Sequence, residues 1–312
     1  MPRTPDFLII GAGVVGLTIA LELCSRYRDA SITVLEKESE LAAHGSGRNS
    51  GVLHAGFYYT KDSLKARFCR DGNAALTAFC EEHALPIRKC GKLVAAQDEL
   101  DLDRLDTLLA RARGNGVELE KIAAEEAREI EPRIKTHRHA LWSPTTSTID
   151  PASLMSKLAE KARDRGISIR LGEPYRGTHR DGICTKRDLY APGYVINAAG
   201  LYADRIARDF GFSEGMRILP FKGLYLYSSK EPENLRTHVY PVPDPNYPFL
   251  GVHFTITLDG RAKIGPTAIP AFWRENYSGL QHFSFRECLE TVGSEISLLL
   301  GSSFDFKRLA VR

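Results

Sequence analysis

The chain is 312 residues long, 43% hydrophobic and 26% charged, with a formal net charge of +3. That length suits two lobes, and the composition is that of a globular protein with a large core rather than a disordered or fibrous chain. So small a net charge argues against a nucleic-acid partner, whose binders carry a concentrated basic surface, while it tolerates an anionic small molecule.

In chain order, Phe7-Leu8-Ile9-Ile10 is a continuous apolar run that predicts a strand buried on both faces. A glycine-rich turn follows, then helical spacing of Val15, Ile19 and Leu23 within residues 14–27, then a second strand over 31–35. Together these make one β-α-β unit. Residues 63–83 predict a helix, 92–96 a strand, and 100–113 a charge-and-leucine helix stopped by Gly114-Asn115-Gly116. Asp150-Pro151 starts another helix, with Gly166 just past its end, before strands over 167–171 and 194–198. Beyond about residue 215, strand-like runs over 223–228, 250–257 and 261–265 alternate with proline-rich turns such as Pro241-Val242-Pro243-Asp244-Pro245, the texture of a mostly antiparallel sheet. The pattern implies two interleaved lobes, each built from separate stretches.

The six cysteines, Cys24, Cys69, Cys80, Cys90, Cys184 and Cys288, are scattered without a C-x-x-C pair. That speaks against a zinc site or a disulfide framework and points to a reducing cytoplasm. The opening residues lack a leader pattern, and no apolar run approaches the ~18 residues of a membrane span, so neither a signal peptide nor a spanning helix is expected. Peripheral contact with a membrane stays open.

Gly11-Ala12-Gly13-Val14-Val15-Gly16 is G-x-G-x-x-G between a buried strand and a helix, the context that makes it a nucleotide-binding fingerprint. Gly11 serves the tight turn, Gly13 the backbone approach to a pyrophosphate, and Gly16 the packing of helix on sheet. The helix start at Val15 then faces phosphate with free N–H groups. Glu36, 20 residues after Gly16, is placed to accept from a ribose diol, with Lys37 beside it. The glycines alone do not separate NAD from FAD.

The segment from His44-Gly45-Ser46-Gly47-Arg48-Asn49-Ser50-Gly51 through Val52-Leu53-His54-Ala55-Gly56-Phe57-Tyr58-Tyr59 resembles L-2-hydroxyglutarate dehydrogenases and oxidases of the D-amino-acid-oxidase superfamily. Further matches are Cys90-Gly91-Lys92-Leu93, Ile196-Asn197-Ala198-Ala199-Gly200, Pro220-Phe221-Lys222-Gly223, Pro248-Phe249-Leu250-Gly251-Val252-His253 and Gly265-Pro266. The resemblance runs in order from about residue 6 to about 290 and is far more specific than the glycine turn. It implies an α/β fold in which an FAD-binding Rossmann-like lobe, residues 1–86 and 145–215, interleaves with a mostly antiparallel substrate lobe, 87–144 and 216–312. It implies FAD as cofactor, with Ser46, Asn49, Ser50, Gly51, Ala199 and Gly200 lining it.

By the same resemblance the reaction is oxidation of L-2-hydroxyglutarate to 2-oxoglutarate. A hydride passes from the substrate carbon to flavin N5, a base takes the hydroxyl proton, and quinone or another acceptor receives the electrons. His54 is the first candidate base, since an imidazole titrates near neutrality; the plainer reading is a histidine that braces its loop. His253 is second, as base, as donor to a carboxylate, or as a satisfied core histidine. A dicarboxylate needs cations or donors, for which Arg48, Tyr58, Tyr59, Lys65 and Lys222 are candidates; a solvated surface role is the alternative for each. No metal site is expected, and His137-x-His139 reads as a polar surface turn.

The family continues beyond the point where this chain ends, after Phe304-Asp305-Phe306-Lys307-Arg308. A C-terminally incomplete fold is therefore expected, and a truncated, inert relative is the alternative to an active enzyme. Glu173-Pro174 also departs from the family, because proline offers no N–H there. A third reading is another flavin oxidase of the superfamily acting on an amino acid or glycerol phosphate.

Overall fold

The computed structural model describes residues 1–229, 235–245 and 251–301. They form two compact units, each assembled from separated segments: 1–49, 151–220 and 271–301 in the first, 50–150 and 221–270 in the second.

The first unit is built on a four-stranded parallel sheet in the order Tyr194–Asn197, Phe7–Ile10, Ile32–Leu35, Ser168–Arg170. Leu8 and Ile9 are fully buried, as a run apolar on both faces requires. Helices Val14–Arg26 and Pro151–Asp164 pack against one another. The second ends because Gly166 turns left-handed, its N–H donating to Arg163 O while Ile167 N–H reaches Ala162 O. A three-stranded antiparallel sheet, Tyr175–His179, Gly182–Thr185 and Leu189–Tyr190, contributes Ile183 and Tyr190 to a core shared with Leu8, Ile10, Leu35 and Ile206. Helix Phe285–Gly301 belongs to this unit.

The second unit holds a seven-stranded sheet in the order Phe221–Tyr227, Ala262–Pro270, His253–Ile256, His238–Pro241, Lys92–Ala95, His139–Ser143, Glu120–Ala123. Every pairing is antiparallel except His238–Pro241 on Lys92–Ala95. Helix Glu99–Asn115 starts where the Asp98 carboxylate accepts Asp101 N–H at 3.0 Å and stops at left-handed Gly116. It lays Leu105, Leu108 and Ala112 on Phe57, Val94 and Leu141.

Three expectations need correction. The expected boundaries at 86/87, 144/145 and 215/216 give way to divisions at 49/50, 150/151, 220/221 and 270/271. Helix Leu64–Glu82 goes with the second unit because it packs on Ile87–Arg88 and Glu99–Asn115. His139 is no turn residue but opens the strand His139–Ser143, paired to Ala123; His137 remains at the surface, bonded to Glu99 at 2.9 Å. Pro248-Phe249-Leu250, the start of the strand expected over 250–257, and Phe304 to Arg308 lie outside the described residues.

Candidate functional site

In the first unit a cleft of about 1050 Å³ opens at the carboxyl ends of the parallel strands. This is the end of an open α/β sheet where ligands bind. Gly11, Gly13, Val15, Glu36, Lys37, Ser46, Ala199 and Gly200 all line it.

The glycine turn shows why these residues are needed. Gly11 sits at φ +109°, and a Cβ there would strike the carbonyl of Ala198. A Cβ at Gly16 would land on the Gly11 carbonyl oxygen. Helix Val14–Arg26 has no acid in its first turn, and only the Val14 N–H is capped, by Ser46 Oγ at 2.9 Å. The N–H groups of a first turn have no acceptor within their own helix. They and the positive end of the dipole therefore face the cleft, with Glu36 engaging the Ala12 N–H just before the helix. Gly200, at φ +53°, has open space where a side chain would be. Glu36 accepts Ala12 N–H at 3.1 Å and Glu38 N–H at 3.0 Å, one on each oxygen, which leaves lone pairs toward the cleft. Size, donors and the missing Cβ atoms fit a dinucleotide carrying a pyrophosphate.

Pro174 lines the same cleft without an N–H, while Glu173 is buried, accepting from Tyr190 OH at 3.0 Å and Thr185 Oγ1 at 2.9 Å. The ammonium of Lys37, which lines the cleft, is engaged by protein groups. It binds Glu38, Glu275 at 2.6 Å and His44 at 2.7 Å. Burial works against its charge, but Glu275 and Glu38 hold it above the ordinary lysine value. Glu38, His44 and Glu275 have the spacing of metal ligands, and the Lys37 ammonium lies among them, offsetting one of the two carboxylate charges. Arg48 stacks over Tyr277 at 4.3 Å and donates to Ala43 O at 2.6 Å. Asn49 Nδ2 donates to Ser46 O at 2.9 Å. Ser50 and Gly51 fall in the second unit, where Gly51 O accepts Ile149 N–H.

The second unit carries a buried cluster of bases. His253 is 4% exposed, its ring stacked on Tyr240 with centroids 3.7 Å apart. Its Nδ1 lies 2.8 Å from Gly251 O. A carbonyl can only accept, so Nδ1 carries the proton and Nε2 of the neutral ring is the acceptor. Burial pushes this imidazole down to about 4. His54 meets the edge of Tyr240 at 6.0 Å, and its buried Nδ1 has no hydrogen-bond partner among the described residues. Burial first, then the charge of Lys92, holds it well below the ordinary histidine value. His238 differs: Nδ1 accepts Ile256 N–H at 3.0 Å, and Nε2 faces Thr148 Oγ1 at 3.0 Å. Thr148 in turn donates to Ile256 O at 2.9 Å, so this ring is locked in one tautomer.

Tyr58 is half-buried, its hydroxyl buried and, among the described residues, unpaired, and burial raises it well above the ordinary tyrosine value. Tyr59 packs under Lys65 at 4.6 Å. Lys222 lies on strand Phe221–Tyr227, half-buried. Lys92 escaped the sequence reading as a site residue. It is fully buried, and burial brings its amine down to about 7. Its place in Cys90-Gly91-Lys92-Leu93 was the available signal, because lysine inside an apolar strand is rarely buried.

A family model described as FAD dependent oxidoreductase matches residues 6–292. The L-2-hydroxyglutarate dehydrogenase of Escherichia coli strain K12 is 39% identical over 295 residues, covering 93% of this chain and 69% of that protein. The mitochondrial enzyme of the same description from Caenorhabditis elegans is 38% identical over 292 residues, covering 88% and 65%. Among solved structures, L-alpha-glycerophosphate oxidase from Mycoplasma pneumoniae with FAD bound superposes with a TM-score of 0.76 at 26% identity, over 89% of this chain and 75% of that one. L-proline dehydrogenase from P. horikoshii reaches 0.77 at 22% identity, over 94% and 77%, a likeness of fold.

Proposed function

We propose, from the premise that this chain belongs to the FAD dependent oxidoreductase family, that it oxidises L-2-hydroxyglutarate to 2-oxoglutarate. The substrate is that of its relatives in Escherichia coli and Caenorhabditis elegans. The observation that carries the chemistry is the tautomer of His253, a buried residue whose Nδ1 is fixed on a carbonyl, which leaves Nε2 as the acceptor of the neutral ring.

The glycine turn, the start of helix Val14–Arg26, Ser46, Glu36, Ala199 and Gly200 hold FAD. When bound, the flavin supplies the hydride acceptor. His253 takes the proton of the substrate hydroxyl on Nε2, and His54 is the second candidate for that role. An imidazole kept neutral by burial is ready to accept at any pH above its lowered value. Cations and hydroxyls of the second unit, among them Lys65, Lys222, Tyr58 and Tyr59, suit a dicarboxylate, and the electrons pass on to a quinone. No described helix is long and apolar enough to cross a membrane.

The test uses the purified, FAD-loaded chain with L-2-hydroxyglutarate, D-2-hydroxyglutarate, glycerol 3-phosphate and L-proline. Dye reduction with the first substrate alone is expected, with a soluble quinone accepting electrons faster than oxygen. Turnover of glycerol 3-phosphate or proline in preference to the hydroxy acid would overturn the substrate assignment.

A further inference from the structure

Lys92 lies in the middle of the second unit's sheet, between His238 on one side and Ser143 on the other. Its side chain is fully buried, and among the described residues its ammonium has no hydrogen-bond partner. Three rings enclose the Nζ: Tyr58 at 4.4 Å, Phe57 at 4.5 Å and Tyr240 at 4.9 Å from their centroids. Tyr240 is the shared wall, carrying His253 stacked on it and His54 at its edge. No described carboxylate pairs with Lys92, His54, His238 or His253. A buried lysine without a counter-ion costs stability, which the three ring faces around it offset in part. A position that costs stability is expected where function needs it.

We propose that Lys92 is a positioning residue of the reaction: its buried ammonium, one aromatic ring away from His253 and in the same cluster as His54, holds both imidazoles neutral into the acid range, so that the base stays unprotonated there at the expense of some basicity. This rests on the assignment of a histidine as the base. The pH range fits. The amine titrates at about 7, so it is charged throughout the acid range in which an ordinary imidazole would pick up its proton. Its charge acts on His54, His238 and His253 in the same direction as burial. The other titratable groups facing the cluster are few. Lys263 adds to the effect on His253, and Arg88 adds to that on His238. Cys69, Cys90, Tyr225, Tyr58 and Tyr240 are uncharged at neutral pH, each with its titration raised by burial.

The experiment follows the histidines directly. The FAD-loaded protein is labelled at histidine 13Cε1, with resonances assigned by single His→Gln variants, and titrated from acid to neutral pH in wild type, Lys92→Met and Lys92→Arg. In wild type, His253 and His54 stay neutral where a free imidazole titrates. In Lys92→Met their midpoints rise by on the order of one pH unit, and the acid limb of kcat/KM moves up with them. Lys92→Arg, which keeps the charge, leaves both in place. Unmoved histidine midpoints in a Met variant with native circular dichroism would overturn the proposal. Should a variant fail to fold, the wild type still decides: the His253 ring shift must show a second inflection matching that of the Lys92 13Cε methylene near pH 7, and its absence overturns the coupling. Loss of the base assignment looks different, because then His253→Asn keeps its turnover whatever the titrations show.

Discussion

Three histidines and one lysine share a buried cluster, and their hydrogen bonds separate the structural member from the reactive ones. His238 has both nitrogens engaged, by Ile256 N–H and by Thr148, so its replacement strands buried groups. His238→Gln is expected to cost about 1–3 kcal/mol of stability in urea denaturation, the penalty for unpaired buried polar groups, while kcat changes little. His253→Asn keeps a donor near Gly251 O but lacks the Nε2 acceptor. Its expected signature is the reverse: native stability and a kcat lower by about 10²–10⁴-fold. Equal loss of kcat in both variants would sink the distinction. Lys92 adds a stability signature of its own. Its folded value of about 7 lies below the ordinary 10.5, so between these the unfolded chain binds more protons. The destabilisation is full below about 7 and is relieved as pH rises toward 10.5. Lys92→Met should therefore be at least as stable as wild type at pH 7, and the difference should shrink in alkali, as urea midpoints at several pH values would read.

At the scale of elements, the strand, turn and helix that open the chain were legible because their determinants are local. Gly16 is explained by atoms of the same short segment, Gly11 and Ile9, whereas the Ala198 carbonyl that excludes a side chain at Gly11 comes from a distant one. Gly16→Ala is a direct test: the added methyl falls on the Gly11 carbonyl and against Ile9 Cγ2 at 3.4 Å, so the helix must shift. A cost of about 1–3 kcal/mol is expected, with FAD affinity at least tenfold weaker by fluorescence titration; a variant as yellow and as stable as wild type would refute this account of the turn. Other elements left little trace. His238–Pro241 and Glu120–Ala123 are four residues each, too short for a period to declare itself, and only their partners in the sheet make them strands. The cluster around Lys92 was half legible. His54 and His253 stood out as residue types, but the cage of Phe57, Tyr58 and Tyr240 is closed by segments distant in sequence. Lys37 shows the converse, since its position beside Glu36 suggested a cofactor role, while Glu275 from a remote segment engages its charge.

At the scale of the whole molecule, both units are discontinuous, and the boundary at 49/50 falls inside the motif that carried the resemblance. No composition shift marks it, because the chain passes between units within a glycine- and serine-rich loop. What ties the first unit's separate segments together is more specific than apolar contact. Arg274, from the third segment, grips Asp204, from the second, through two bonds of 2.6 and 2.8 Å, with both side chains buried. Arg274 also donates to Leu201 O. Asp204 accepts Ile218 N–H at 3.1 Å and Arg208 at 2.9 Å as well. Burial alone would raise this carboxyl, but Arg274, the Ile218 N–H and Arg208 together hold it below its ordinary value of 3.8. Its contribution is thus present above 3.8 and lost as pH falls through the lower, folded value. Arg274→Met strands the carboxylate only in part, since Arg208 and the Ile218 N–H remain. About 3 kcal/mol is therefore expected at neutral pH, the lower end for breaking a buried pair. Arg274→Lys should recover little, because one ammonium cannot make the two-pronged contact. The gap to wild type should narrow in acid, as Asp204 of the variant takes up its proton first. Urea denaturation of the three proteins at neutral pH and below the carboxylate range decides it, and a Met variant as stable as wild type at neutral pH would mean that the segments are held by their apolar contacts alone.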